Sequence, residues 1–185
     1  NERDILDLTS GRGKDLIIGG KLINIPLKTI EKRIEMNSFV ESVQVDKDHK
    51  GNLNIQVRQS RPIARIFYGD TSFYIGNNRT LLPLSKRYTS RVIIIRGEGV
   101  SNYLTQNLHE SEIDSAFFSL LEWVNNDTFC KAQIAEIKIS KNGDLEFEPQ
   151  VSKQTITFGK PVNLEEKFEK IKTLYSTILP HKGWN

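Results

Sequence analysis

The chain has 185 residues and a mass of 21.2 kDa, with 37% hydrophobic and 26% charged residues. That is enough for one domain or two small ones with their own cores, and too apolar for wholesale disorder. The net charge of +3 is too small to mark a nucleic-acid binder without a concentrated basic face. The surplus is uneven: residues 1–65 hold 12 basic and 9 acidic side chains, leaving 14 of each in residues 66–185. Cys130 is the one cysteine, so an intramolecular disulfide and a cysteine-based metal cluster are both excluded. No apolar run approaches the ~18–20 residues of a membrane helix. With no Met at position 1 and no charged-then-apolar leader, the chain reads as a soluble piece of a longer protein.

In chain order, Asp4 to Leu8 reads as the end of a helix with Ile5 and Leu8 on one side. Thr9 to Gly20 reads as a glycine-rich loop, interrupted by Leu16, Ile17 and Ile18. Pro26 to Met36 is helical, because Leu27, Ile30 and Ile34 recur on one stripe behind a proline suited to a first turn. Phe39 to Asp46 alternates as a strand. Leu53, Ile55 and Val57 then alternate with Asn54, Gln56 and Arg58 beyond a turn-prone Asp48–Asn52. This is a helix on a two-stranded hairpin, an αββ unit.

Residues 61–108 are strand-rich. Ile63–Tyr68, Ser72–Ile75 and Arg91–Arg96 are β-branched or aromatic runs, with turns at Gly69-Asp70 and Gly76-Asn77-Asn78. A helix follows over Ser111–Val124, with Ser111 and Asp114 at capping-box spacing. Gln133–Ser140 and Asp144–Glu148 flank Asn142-Gly143, the strongest hairpin signal in the chain. Gln154–Phe158 is a third run, and a last helix spans Leu164–Leu179, with Asn163 as its N-cap and Pro180 as its stop. The class is α+β: an αββ unit over residues 1–65, then an antiparallel β domain flanked by helices over residues 66–185.

Catalytic machinery is not visible in this pattern. Gly11-Arg12-Gly13-Lys14 resembles a phosphate loop, but Leu8 and Asp15 stand where the earlier glycine and the magnesium-binding hydroxyl are needed. Asp46 to Gly51 resembles the start of a calcium loop, but Lys50 and Val57 stand where oxygen ligands are required. His49, His109 and His181 have no second ligand at helical spacing. Asp144, Glu146 and Glu148 alternate on a strand and read as a solvated sheet face, not as an acid/base pair. Two sequons, at Asn78 and Asn126, are of a kind common by chance. Arg58, Arg61 and Arg65 near Phe67 and Tyr68 raise a base-stacking surface, but no RNA-binding signature accompanies them. No metal, cofactor or nucleic acid is expected.

Several ordered segments resemble one family. They are the helix Pro26–Met36, the strand Phe39-Val40-Glu41-Ser42-Val43-Gln44-Val45, the hairpin strand Asn52–Arg58 and the exit Gln59-Ser60-Arg61-Pro62-Ile63-Ala64. Further on come Phe73-Tyr74-Ile75-Gly76-Asn77, Ile156-Thr157-Phe158-Gly159 and Lys167-Phe168-Glu169-Lys170-Ile171. Together they resemble the FtsQ/DivIB family of bacterial cell-division proteins; Phe39 stands where that family has Trp, and Gln59-Ser60 where it often has Glu-Arg. The resemblance implies a partial POTRA domain over 1–65 lacking its first strand, and a β domain over 66–185 lacking its last. It implies a non-enzymatic divisome scaffold, anchored in the bacterial inner membrane by a helix outside this chain and facing the periplasm at the division site. Its implied partners are FtsB-like and FtsL-like proteins, with the fragment itself monomeric.

Partner binding of this sort adds a strand to an open sheet edge. The expected edge is Gln154, Thr155, Ile156, Thr157 and Phe158, because the outer neighbour of that strand is missing. A second candidate surface is the polar side of the last helix, at Lys167, Lys170 and Lys172. The competing class is a POTRA-containing periplasmic adaptor in outer-membrane assembly.

Overall fold

A computed structural model describes residues 2–11, 26–85, 89–104, 114–151 and 154–178. Gly13-Lys14, Leu16–Ile18, His109, Ser111, Pro180 and His181 therefore lie outside the described residues. Chain contacts divide the molecule into two units, Asn1–Arg61 and Pro62–Asn185. The strand that opens the second unit begins at Pro62, so it belongs whole to that unit.

The first unit packs α1 (Glu2–Thr9) and α2 (Leu27–Glu35) with an antiparallel hairpin, β1 (Val40–Lys47) and β2 (Leu53–Gln59). Ile30 and Ile34 are fully buried with Val45, and Ile5, Leu8, Leu27, Val43, Leu53, Ile55 and Val57 close the cluster. The predicted apolar stripe is thus the one that packs, because residues three and four apart share a helix face. In the hairpin turn, Asp48 Oδ1 accepts from the backbone N–H of Lys50 at 2.9 Å and of Asn52 at 2.8 Å. Bonds from Asn52 first, then from Lys50 and Gly51, hold this carboxyl below its ordinary value. The carboxylate that resembled a calcium ligand is spent on its own turn. Glu31 reaches from α2 to the open side of β1, where its Oε1 accepts from the Val45 N–H at 3.0 Å.

The second unit is a seven-stranded sheet in the order β5-β4-β3-β6-β7-β8-β9 among the described residues. Its strands are β3 (Pro62–Tyr68), β4 (Thr71–Gly76), β5 (Leu81–Leu82), β6 (Ile93–Arg96), β7 (Ile134–Ile139), β8 (Leu145–Pro149) and β9 (Ile156–Gly159). The mixed helix and strand content agrees with the α+β class. The sheet, however, is mixed where an antiparallel one was expected: β3–β6 and β6–β7 run parallel. The reason is the connection. A 3₁₀ helix (Glu98–Tyr103) and two α-helices, α3 (Ser115–Asn126) and α4 (Thr128–Gln133), lie between β6 and β7, and such a crossover returns the chain in the same direction.

Those helices and α5 (Leu164–Thr173) belong to the same core as one sheet face. Ala64, Ile66, Ile75, Ile95, Ile137, Leu145 and Phe147 are fully buried in it with Phe117, Leu120, Leu121, Cys130 and Phe168. On the opposite face Arg65 lies over the rings of Phe67 and Tyr74, at 4.9 and 6.0 Å. The arginine in the predicted basic–aromatic cluster is therefore packed on its own sheet.

Local boundaries differ from the sequence reading for identifiable reasons. The helix expected from Ser111 begins at Ser115, because Asp114 is itself the N-cap and accepts from the Phe117 N–H at 3.0 Å. The strand expected from Gln133 begins at Ile134, since Asp127 caps the short helix α4 just before it. The strand expected from Arg91 begins at Ile93. Asn163 precedes α5 with a left-handed φ of 53° and makes no side-chain cap bond. The last helix loses its regular pitch after Thr173 and ends in a π turn, Leu174–Ile178.

Asp127 joins two elements. Its Oδ1 accepts from the Cys130 N–H at 2.9 Å, and its Oδ2 meets Lys172 Nζ of α5 at 2.8 Å. The Lys172 bond and the cap bond lower its carboxyl from an ordinary 3.8 to about 2. The folded value lies below the unfolded one, so this stabilisation is present above pH ~4 and is lost as pH falls toward 2. Asp127→Ala should cost about 1–2 kcal/mol through the lost cap. Asp127→Asn keeps a capping oxygen and should cost less, and acid titration of unfolding should show its difference from wild type vanishing between pH 4 and 2. Beneath this cap Cys130 is fully buried; burial, with Asp127 second, pushes its thiol up to about 12.

Candidate partner-docking edge

β9 is the end strand of the second sheet among the described residues: it pairs with β8 and has no strand on its other side. It is short, four residues from Ile156 to Gly159. Gln154 and Thr155, expected in the strand, precede its start at Ile156, and Gly159 ends it with a φ of 74°. Thr157 stands opposite Glu146 and is exposed, whereas Phe158 turns inward and is 5% exposed. The alternation gives β9 one apolar face, Ile156 and Phe158, and one wet face at Thr157.

Behind the edge lies an aromatic layer. Phe158 stacks on Phe147 of β8 with ring centroids 4.5 Å apart, and Phe168 of α5 meets Phe158 at 5.3 Å and Trp123 of α3 at 5.5 Å. Such pairs add to the area they bury because ring edges and faces carry opposite partial charge. The edge is thus a rigid rim, held from behind by three helical and strand elements.

The three lysines of α5 have separate roles. Lys170 is 73% exposed and pairs with Glu166 one turn earlier at 2.5 Å. Lys172 is engaged by Asp127 and, at 3.6 Å, by Glu169. Lys167 alone of the three reaches the strand: its Nζ donates to the carbonyl oxygens of Phe158 at 2.9 Å and Lys160 at 2.7 Å. Its ammonium also lies 4.7 Å from the centre of the Phe158 ring. The structure therefore joins the two surfaces that the sequence presented as alternatives, through one residue. Nothing in the sequence marks Lys167 for this, since it reads as one of several helix lysines.

The turn after β9 is tied inward as well. Lys160 Nζ donates to the Asn142 carbonyl and lies 3.7 Å from Asp144. Across the outer sheet face Glu148 pairs with Lys138, and the carboxylate raises that lysine above its ordinary value. Asp144 and Glu148 thus serve as sheet-face ion pairs. Among the described residues, no group of three His, Cys, Asp or Glu side chains could hold a metal ion. A shallow groove on the first unit, over Ser42, Gln44, Gln56 and Arg58, has no histidine or carboxylate in its lining. No helix of the described residues is long and apolar enough to cross a membrane.

An open edge backed by a packed aromatic layer is a surface to which a further strand can add. The chain belongs to the FtsQ/DivIB family: the family model described as FtsQ/DivIB, C-terminal related, matches residues 61–185, about two thirds of the chain. That is a non-catalytic family of cell-division proteins, part of the divisome at the division site. The match starts at the first residue before β3 and covers the whole second unit. No curated protein matches the chain.

Proposed function

We propose that this chain is the extracytoplasmic part of a divisome scaffold that binds a partner by strand addition at β9. The observation that carries the reading is the position of β9: among the described residues it ends the sheet, inside the region matched by the family. Backbone N–H and C=O groups on such an edge satisfy an incoming strand, while side-chain pockets on alternate positions choose it. The first unit is read as the POTRA-type domain, its helix α2 lying against the β1–β2 hairpin. The intact protein is anchored in the inner membrane by a helix outside this chain. Its partners are FtsB-like and FtsL-like proteins, and the role is non-enzymatic. Ile156, Thr157 and Phe158 form the docking rim, with Gln154 and Thr155 at its entry. Lys167, Lys170 and Lys172 lie on the helix beside it, although the pairing of Lys172 with Asp127 makes it a structural residue first.

Affinity capture of the membrane-anchored full-length protein, followed by mass spectrometry, tests this. Divisome membrane proteins should be retained, and Thr157→Pro should lower their retention about tenfold by removing an edge N–H and obstructing the approach. Retention of outer-membrane assembly components, or retention unchanged by Thr157→Pro, would contradict it.

A further inference from the structure

The Ser140 N–H donates to the Asp144 carbonyl at 2.9 Å, so alternation turns the backbone groups of Glu146 toward β7 and those of its β9 partner Thr157 to the open side, while Ile156, opposite Phe147, directs its own at β8. Phe158 lies in the irregularity between the Glu146–Thr157 and Leu145–Gly159 pairs, and its carbonyl is met by Lys167 instead of a ladder partner. The outward acceptor nearest the end of β9 is occupied by a charge. An ammonium bound to two carbonyls makes charge-assisted bonds, which are stronger than the neutral bond an incoming N–H would make. The same device recurs in the first unit, where Glu31 of α2 occupies the Val45 N–H on the open side of β1. Among the described residues, one edge of each sheet, β1 and β9, is thus met by a side chain of a helix in its own unit, whose charge suits the backbone group it covers.

We propose that Lys167 is a latch on the β9 edge: strand addition requires its ammonium to leave the Phe158 carbonyl. The partner side of this inference rests on the reading of β9 as a docking edge; the latch itself does not. With the latch closed, the edge resists pairing with a second copy of the chain, the hazard that any exposed strand carries. Opening it gives the incoming strand the Phe158 acceptor and leaves Lys167 a free ammonium. A partner strand with a carboxylate opposite Phe158 is therefore favoured, because it replaces the two lost bonds with an ion pair.

Lys167→Met is the diagnostic variant, since its apolar stem still covers the Phe158 ring while the donors are gone. Sedimentation velocity of the purified chain should show wild type monomeric and Lys167→Met self-associating, at least about tenfold more tightly. The double variant with Thr157→Pro should be monomeric again, and all three should melt within about 5 °C of each other. In the capture experiment, Lys167→Met should retain more partner than wild type. Three results would overturn the latch: a monomeric Lys167→Met protein, dimers that persist in the double variant, or wild-type dimers formed through β9. Failure of wild type to retain any divisome protein would instead remove the functional reading, while sedimentation would still decide the latch.

Discussion

Gly99→Ala should unfold the second unit under conditions where wild type is stable. A methyl carbon added there would lie 1.9 Å from the carbonyl oxygen of Ser140 and 2.9 Å from its carbon. Those atoms are backbone at the end of β7, so they cannot swing aside as a side-chain tip would. Overpacking in a tight interior typically costs about 1–3 kcal/mol and more where nothing can move, so the expectation is at least ~3 kcal/mol. Gly97, two residues earlier, is equally constrained: its φ is 128°, and its added carbon would lie 2.1 Å from the Ile139 oxygen. Both glycines let the turn into the 3₁₀ helix pass directly against β7. Trp123 lies on α3 of the second unit, so its fluorescence during denaturant unfolding reports on that unit. A Gly99→Ala protein whose transition midpoint matched wild type would show that this approach is looser than described.

Phe168→Ala should be the most costly side-chain truncation near the docking edge. The ring is fully buried and contacts Trp123, Phe147 and Phe158, which come from α3, β8 and β9. Burying and then deleting a phenyl ring costs about 3–5 kcal/mol, including the cavity that remains. Phe168→Leu refills part of that space and should cost about half as much. The alanine variant should also loosen β9, so hydrogen exchange at Ile156, whose N–H is directed at β8, should accelerate before the β3–β4 amides do. A uniform acceleration across the sheet would mean that α5 supports the whole unit equally, contrary to the layered packing seen here.

The first unit was legible in the sequence because each of its elements follows one period. Ile30 and Ile34 recur at helical spacing, and Val45 and Ile55 at strand spacing, and these residues meet in its core. The second unit was legible in its strands and less so in their directions. Asn142-Gly143 signals a hairpin because a glycine tolerates the φ of 79° found there. The parallel pairs of β6 leave no local mark; they follow from a crossover whose beginning, the 3₁₀ helix, has no periodicity to read. Asn163 has the composition of a cap, yet a left-handed backbone carries it out of capping geometry, which composition alone does not foretell. Ile156 to Phe158 could be picked out as an edge on the pattern of strands. The bond from Lys167 could not, since it depends on where α5 returns after the turn at Pro161–Asn163.

The shifted surface groups of the molecule are held by local ion pairs and a helix cap. Asp127 is held low by Lys172 and by its cap, Lys138 is held high by Glu148, and Glu166 is held low by Lys170. Each shift moves a group away from neutral pH, so these charges are constant where the protein works. The Cys130 thiol is raised by burial, which keeps it out of thiolate chemistry at neutral pH.

Site-specific photocrosslinking from Thr157 in the membrane-anchored full-length protein tests the central claim most directly. That side chain is exposed on the edge strand and lies within a few ångströms of any strand added there. The account predicts a crosslink to a divisome membrane protein from Thr157 and none from a probe at exposed Lys131 on α4. A partner captured from Lys131 and not from Thr157 would contradict it.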